Sequence, residues 1–201
     1  MKKIAKKILS YFGLQMSRSD NSRQVSNFDQ DSMLVGIHRA KMLNINPTTI
    51  IDVGAAEGKW TLSTMEVWPE SQYVLVEPLE ERKQELQQLT IQHKNTHLVP
   101  AGAGAKKSTI DFFVTKDLDG SGIADNGTGA RKVTIEITTI DDEVSRLGLP
   151  GPYCINLDTH GFEVPIFEGA ENTLQQTELL IIECYGFQIA PNHFYSGKCV
   201  N

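Results

Sequence analysis

Three carboxylates stand where a parallel α/β sheet would present a ligand. Asp52 lies inside Ile50-Ile51-Asp52-Val53-Gly54, Glu77 follows Tyr73-Val74-Leu75-Val76, and Asp158 follows Cys154-Ile155-Asn156-Leu157. Each lies at or next to the end of a short, mostly apolar run that reads as a buried strand, so the three mark predicted strand tips. After Asp52 comes the turn Gly54-Ala55-Ala56-Glu57-Gly58 and then a helix-like segment. That is how such a sheet carries a ligand to a helix N-terminus, and an acid at the tip of the next strand is placed to hydrogen-bond a ribose. The pattern points to a nucleoside-containing ligand.

Spacing separates the nucleoside ligands. A phosphate-cradling P-loop needs GxxxxGK[ST], whereas here Gly54 and Gly58 are followed by Lys59 and Trp60, with no hydroxyl. A dinucleotide turn needs GxGxxG, and the spacing here is GxxxG. S-adenosylmethionine (SAM) has no phosphate and carries a positive sulfur. Asp52 beside the turn suits such a cation and would repel a pyrophosphate. Glu77 and Asp158 add to the same edge, so SAM is the expected cofactor.

The elements that must hold these residues can be read in order. The 201 residues suffice for one α/β domain. A helix runs from Asp31 or Ser32 to about Leu43, then strand one at 49–53, a helix at 59–67 and strand two at 72–77. A helix at 79–91 leads to strand three at 96–101, which ends in Ala101-Gly102-Ala103-Gly104. Residues 108–114 and 132–138 alternate apolar and polar, as half-exposed strands do, around a Gly/Asp-rich loop at 116–131. A helix at 140–147, strand four at 153–157, an interrupted helical stretch at 162–176 and strand five at 179–183 complete the pattern. Strands alternating with helices imply a mostly parallel sheet, whose ligands bind beyond the carboxyl ends of the strands.

Composition narrows the function classes. Apolar residues make up 40% and charged residues 22%, ordinary for a globular chain. Residues 1–50 hold eight Lys/Arg against three Asp/Glu, while residues 51–201 hold eleven against twenty-two. An acidic body excludes nucleic acid as the expected partner. The basic arm, residues 1–30, opens with a short amphipathic helix at 2–12. There Ile4, Ile8, Leu9 and Phe12 form a stripe and Lys2, Lys3, Lys6 and Lys7 cover the rest, which reads either as weak contact with an anionic membrane face or as a solvated helix. Residues 17–30 read as a polar linker. Three dispersed cysteines fit neither a disulfide framework nor a zinc site, no metal site is expected, and a cytoplasmic setting, peripheral at the inner membrane face if the arm binds there, is expected.

The blocks IIDVGAAEGKW, VLVEP, VTIEITTIDDEV, INLDTHGFEVPIFEGAENTL and LLIIE, taken together over about residues 33–187, resemble the FkbM-type SAM-dependent methyltransferases. The resemblance implies a class I methyltransferase (Rossmann-like) three-layer sandwich over 31–187, with a short tail at 188–201. It also implies O-methylation of a hydroxyl on a sugar, polysaccharide or secondary metabolite. It would place Asp52, Gly54, Ala55 and Gly58 along the methionine part of SAM, Glu77 at the ribose, Ala101 and Gly102 near the adenine, and Asp158 near the sulfur. Two positions depart from the family: Asn156 where lysine is frequent and His160 where glutamate is frequent.

A hydroxyl acceptor must lose a proton, and His160 is the expected base, since an imidazole pKa near ~6.5 suits that task. Asp158 is the second candidate. The fold normally adds two strands after strand five, and the residues after Tyr185 do not show that pattern. The expectation is a missing strand pair and a strand-five edge that invites a homodimer. A methyltransferase-like binding or scaffold module without activity and, more weakly, an NAD-dependent oxidoreductase are the alternatives.

Overall fold

A computed structural model describes residues 30–123, 129–159 and 161–182. The N-terminal arm, the tail beyond Ile182 and His160 lie outside them. A first helix, α1 (Gln30–Met42), leads into β1 (Thr49–Val53), α2 (Lys59–Met65), β2 (Gln72–Val76), α3 (Glu80–Gln92) and β3 (Thr96–Val99). Next come β4 (Gly102–Ala103), β5 (Ser108–Val114), β6 (Arg131–Thr138), α4 (Ile140–Leu147) and β7 (Tyr153–Leu157). Two short helices, α5 (Glu163–Glu168) and α6 (Glu171–Leu174), precede β8 (Thr177–Ile182).

Five of the strands form one sheet in the order β3-β2-β1-β7-β8, every neighbouring pair parallel. Side chains alternate across it, so each strand feeds two cores. Ile51, Val53, Val74, Val76, Ile155 and Leu157 pack with Ile140 and Val144 of α4, Ile166 and Phe167 of α5 and Leu174 of α6. Ile50, Tyr73, Leu75 and Cys154 pack on the other face with Ile37 and Ala40 of α1, Trp60 and Met65 of α2, and Leu86 and Leu89 of α3. The result is a three-layer, Rossmann-like sandwich. The strand order reverses between β1 and β7, and that junction is where such sheets open a crevice.

Local chemistry explains the boundaries. α4 begins because Thr139 Oγ1 accepts from the Asp142 N–H at 3.0 Å, and it stops at Gly148 with φ +64°. The interrupted stretch breaks at Gly169, where a Cβ would lie 2.0 Å from the Gly104 carbonyl oxygen, so α5 and α6 turn against the backbone after β4.

The structure differs from expectation at strand three. The run expected as 96–101 ends at Val99, and the chain then joins a second, three-stranded sheet ordered β4-β6-β5. There β4 pairs parallel to β6 while β5 and β6 run antiparallel. Among the described residues β8 is the outer strand on its side. The expected strand pair concerns the residues after Tyr185, which lie outside the described residues. No described helix is long and apolar enough to cross a membrane.

Candidate functional site

A cleft of about 320 Å³ opens at the carboxyl ends of β1, β2 and β7. Gly54 follows β1 with φ +84°, and a Cβ there would lie 2.1 Å from the Asp158 carbonyl oxygen. No other residue type fits where the backbone after β1 meets the backbone after β7. Asp158 N–H donates to the Val53 carbonyl at 3.0 Å, and the Gly54 N–H to Val76 at 2.9 Å, which fixes the turn to both neighbouring strands.

Glu77 is buried at the tip of β2 and faces the cleft. Its Oε2 accepts from the Ala56 N–H and its Oε1 from the Leu79 N–H, each at 2.9 Å. One carboxylate thus ties the glycine turn to the start of α3. Burial raises its pKa above the ordinary value, against the pull of these two backbone bonds. Ala56 is held at φ +47°, a left-handed conformation unusual for a residue with a side chain.

Asp52 lies under the turn, not on the cleft wall. It is buried, its Oδ2 accepting from Thr61 Oγ1 at 2.6 Å and its Oδ1 from Asn156 Nδ2 at 3.0 Å. Ala55 is buried in the core with α1 and α3. Gly58, at φ +77°, gives room to Leu89 and Leu86 of α3; an added Cβ would lie 2.6 Å from Leu89 Cδ1. Ala101 faces a separate shallow groove with Lys107 and Thr109. Gly54, Glu77, Gly102 and Asp158 therefore share the cleft, while Asp52, Ala55, Gly58 and Ala101 do not, and His160 lies outside the described residues.

The far wall comes from the second sheet. Ile110 and Phe112 of β5 and Ile135 and Ile137 of β6 present one apolar face to the cleft. The loop after β5 adds Leu118, Asp119 and Ile123, and the segment after β7 adds Thr159 and Phe162. Thr159 Oγ1 is buried there with no hydrogen-bond partner among the described residues.

Sequence reasoning missed Arg82. It is nearly buried, lines the cleft, and pairs with Glu57 of the glycine turn and, at 2.7 Å, with Asp119 of the loop after β5. A signal existed: a cation in the first turn of a helix opposes the helix dipole and needs another reason to be there. Its partners, distant in sequence, supply it. The cleft wall then carries Glu77, Asp119 and Asp158 against Arg82, an excess of negative charge. Among the described residues no group of three or more His, Cys, Asp or Glu is arranged to hold a metal.

Comparisons with known proteins bear on this arrangement. Among solved structures, the precorrin-6y C5,15-methyltransferase of Geobacter metallireducens is similar at 13% identity, with 40% of this chain and 43% of that one covered and a TM-score of 0.31. The N-methyltransferase NodS of Bradyrhizobium japonicum, solved with S-adenosyl-L-homocysteine, is similar at 10% identity, covering 48% and 46%, with a TM-score of 0.30. The 1,6-didemethyltoxoflavin-N1-methyltransferase of Burkholderia thailandensis is similar at 11% identity, covering 73% and 75%, with a TM-score of 0.29. The chain spans less than half the length of the first two, and likenesses this distant carry no argument. No curated protein matches the sequence significantly. The family match is of another kind, because it runs from Asp52 through the cleft and on to residue 194. Over residues 52–194 the sequence fits the methyltransferase FkbM domain, and the chain belongs to that family.

Proposed function

We propose that the chain binds SAM in this cleft and methylates a hydroxyl on a small-molecule or glycan acceptor, a sugar, polysaccharide or secondary metabolite. The observation that carries the reading is Glu77. Each of its oxygens accepts one backbone N–H and keeps a second acceptor direction for a ribose hydroxyl at the cleft.

The donor set fits SAM better than a dinucleotide. Three carboxylates against one guanidinium favour a ligand with a positive centre, and Arg82 is already engaged by Glu57 and Asp119. Gly54 and Gly102 keep the walls low beside the turn and the second sheet. Bound SAM would supply a methyl group on a positively charged sulfur, a donor that needs no further activation. Asp158, which lines the same cleft as Glu77, adds negative charge for that centre. Asp52 acts from beneath, by fixing Thr61 and Asn156. His160, two residues after Asp158 in sequence, is the group assigned to take the acceptor's proton, and Asp158 is the second candidate. Most of the rate would come from alignment of acceptor oxygen and methyl group.

Calorimetric titration of the folded chain tests the reading. Micromolar binding of SAM and of S-adenosylhomocysteine, without binding of NAD, is expected. Absence of heat with both sulfur ligands would overturn it.

A further inference from the structure

Two adjacent residues in the first turn of α3, Glu81 and Arg82, carry opposite charges, and each pairs with one end of the second sheet. Glu81 pairs with Arg131, the first residue of β6. Arg82 pairs at 2.7 Å with Asp119, in the turn that follows β5. Val114, the last residue of β5, is the register partner of Arg131, so both ties grip the same end of the sheet. The turn they hold is closed on itself. Phe113 and Gly122 exchange backbone hydrogen bonds at 2.8 and 3.0 Å, and the Thr115 N–H donates to Ser121 Oγ at 3.0 Å. Leu118 N–H donates to the Thr115 carbonyl and Ser121 N–H to the Leu118 carbonyl. A compact turn fastened by its own bonds moves as a unit.

The two ties stand in different places. Arg82 and Asp119 both line the cleft, one from α3 and one from the turn, so their bridge joins one wall to the other. The Arg82 side chain is 9% exposed and that of Asp119 78%, which puts the bridge at the rim. Glu81 and Arg131 are exposed and lie outside the cleft. Glu77, the residue assigned to the ribose, precedes this pair of α3 residues on the same wall. We propose that the turn at 115–122 is a gate over the nucleoside end of the cleft, clasped shut by these two ion pairs, and that the cofactor enters and leaves when the clasp opens. The gate rests on the assignment of SAM to this cleft. Ion pairs with a solvent-exposed partner are individually weak, so two of them bias the turn toward closure and still break on the timescale of lid motion. Because Glu81 and Arg131 lie outside the cleft, changing them alters the gate and removes no ligand contact. Entry and exit both pass through the opened clasp, so weakening the outer pair speeds both and leaves affinity in place.

Stopped-flow displacement of S-adenosylhomocysteine from the full chain tests the gate. Arg131→Glu sets two carboxylates against each other in place of the outer pair. Release should quicken about fivefold, while the affinity measured by calorimetry stays within about twofold of wild type. Adding Glu81→Arg restores an opposite pair and should return release to near the wild-type rate. Both positions are exposed, so the variants should keep the wild-type melting temperature. Unchanged release in Arg131→Glu, faster release matched by an equal loss of affinity, or a double variant as fast as the single one would each overturn the gate and leave the cofactor assignment standing. A wild type that binds no S-adenosylhomocysteine would overturn the cofactor assignment itself, and the gate with it.

Discussion

The Asn156 side-chain amide donates to Asp52 Oδ1 at 3.0 Å, across the register pair that joins β7 to β1. Thr61 donates to the other oxygen from α2. This buried cluster joins the two strands at the point where the sheet order reverses. Asn156→Leu leaves the carboxylate with one side-chain donor. The expected cost is about 1–3 kcal/mol of unfolding free energy, read by urea denaturation. A loss within error of zero would mean the cluster is not structural.

The same carboxyl gives a pH signature. Burial outweighs the bonds from Thr61 and Asn156 and holds Asp52 above its ordinary pKa of 3.8. A group whose folded pKa is raised contributes stability that is full below the unfolded value and is lost as pH rises through the folded one. Asp52→Asn removes that loss. Its stability relative to wild type should therefore improve as pH rises from the ordinary carboxylate range upward, then level off. Paired denaturation curves across that range would show it, and a constant difference would contradict the burial argument.

Glu77→Gln keeps an acceptor for one backbone N–H and turns a donor toward the other. The turn should loosen, and the affinity for S-adenosylhomocysteine should fall at least about tenfold, or 1.4 kcal/mol, by calorimetry. Unchanged affinity would remove Glu77 from the proposed ribose contact.

The glycine turn contains a paired test. Gly54→Ala places a Cβ against the Asp158 carbonyl in a left-handed conformation, so it should cost more than the ~1–2 kcal/mol of the conformation alone. Ala56→Gly, at φ +47°, relieves a left-handed residue and should leave stability within about 1 kcal/mol of wild type. Thermal melts distinguish them, and equal effects would mean the turn relaxes.

Arg82→Met should release the loop after β5 from α3. Glu57 and Asp119 would lose their shared partner. Limited trypsinolysis at Lys116 should quicken, and the melting temperature should drop by roughly 2–4 °C, as a loss of about 1 kcal/mol implies for a chain this size.

Strands β1 and β7 and helix α4 were legible to the residue, because a short apolar run between a turn and a glycine allows few other readings, and because Thr139 and Gly148 mark both ends of α4. Glu77 was legible as a cleft residue for the same reason: a strand tip is a place the pattern defines. The path after Val99 was not. Alternation in 108–114 and 132–138 reveals two half-exposed strands but not which sheet they join, and the parallel pairing of Gly102 with Ile137 spans residues far apart in sequence. Asp52 read as a ligand-facing carboxylate because the sequence does not say which face of the strand it takes; alternation puts it with Ile50, on the α2 side. Arg82 reads in sequence as one charge among many on a solvated helix.

At Gly54 the backbone after β1 touches the backbone after β7 with no side chain between them. In the proposed reaction these two segments carry donor and acceptor. Their separation is then set by main-chain contact, which side-chain replacement in the cleft leaves in place. Ile110, Phe112, Ile135 and Phe162 line the same cleft without taking part in that main-chain contact. A fold built this way can diversify its substrates without rebuilding its chemistry.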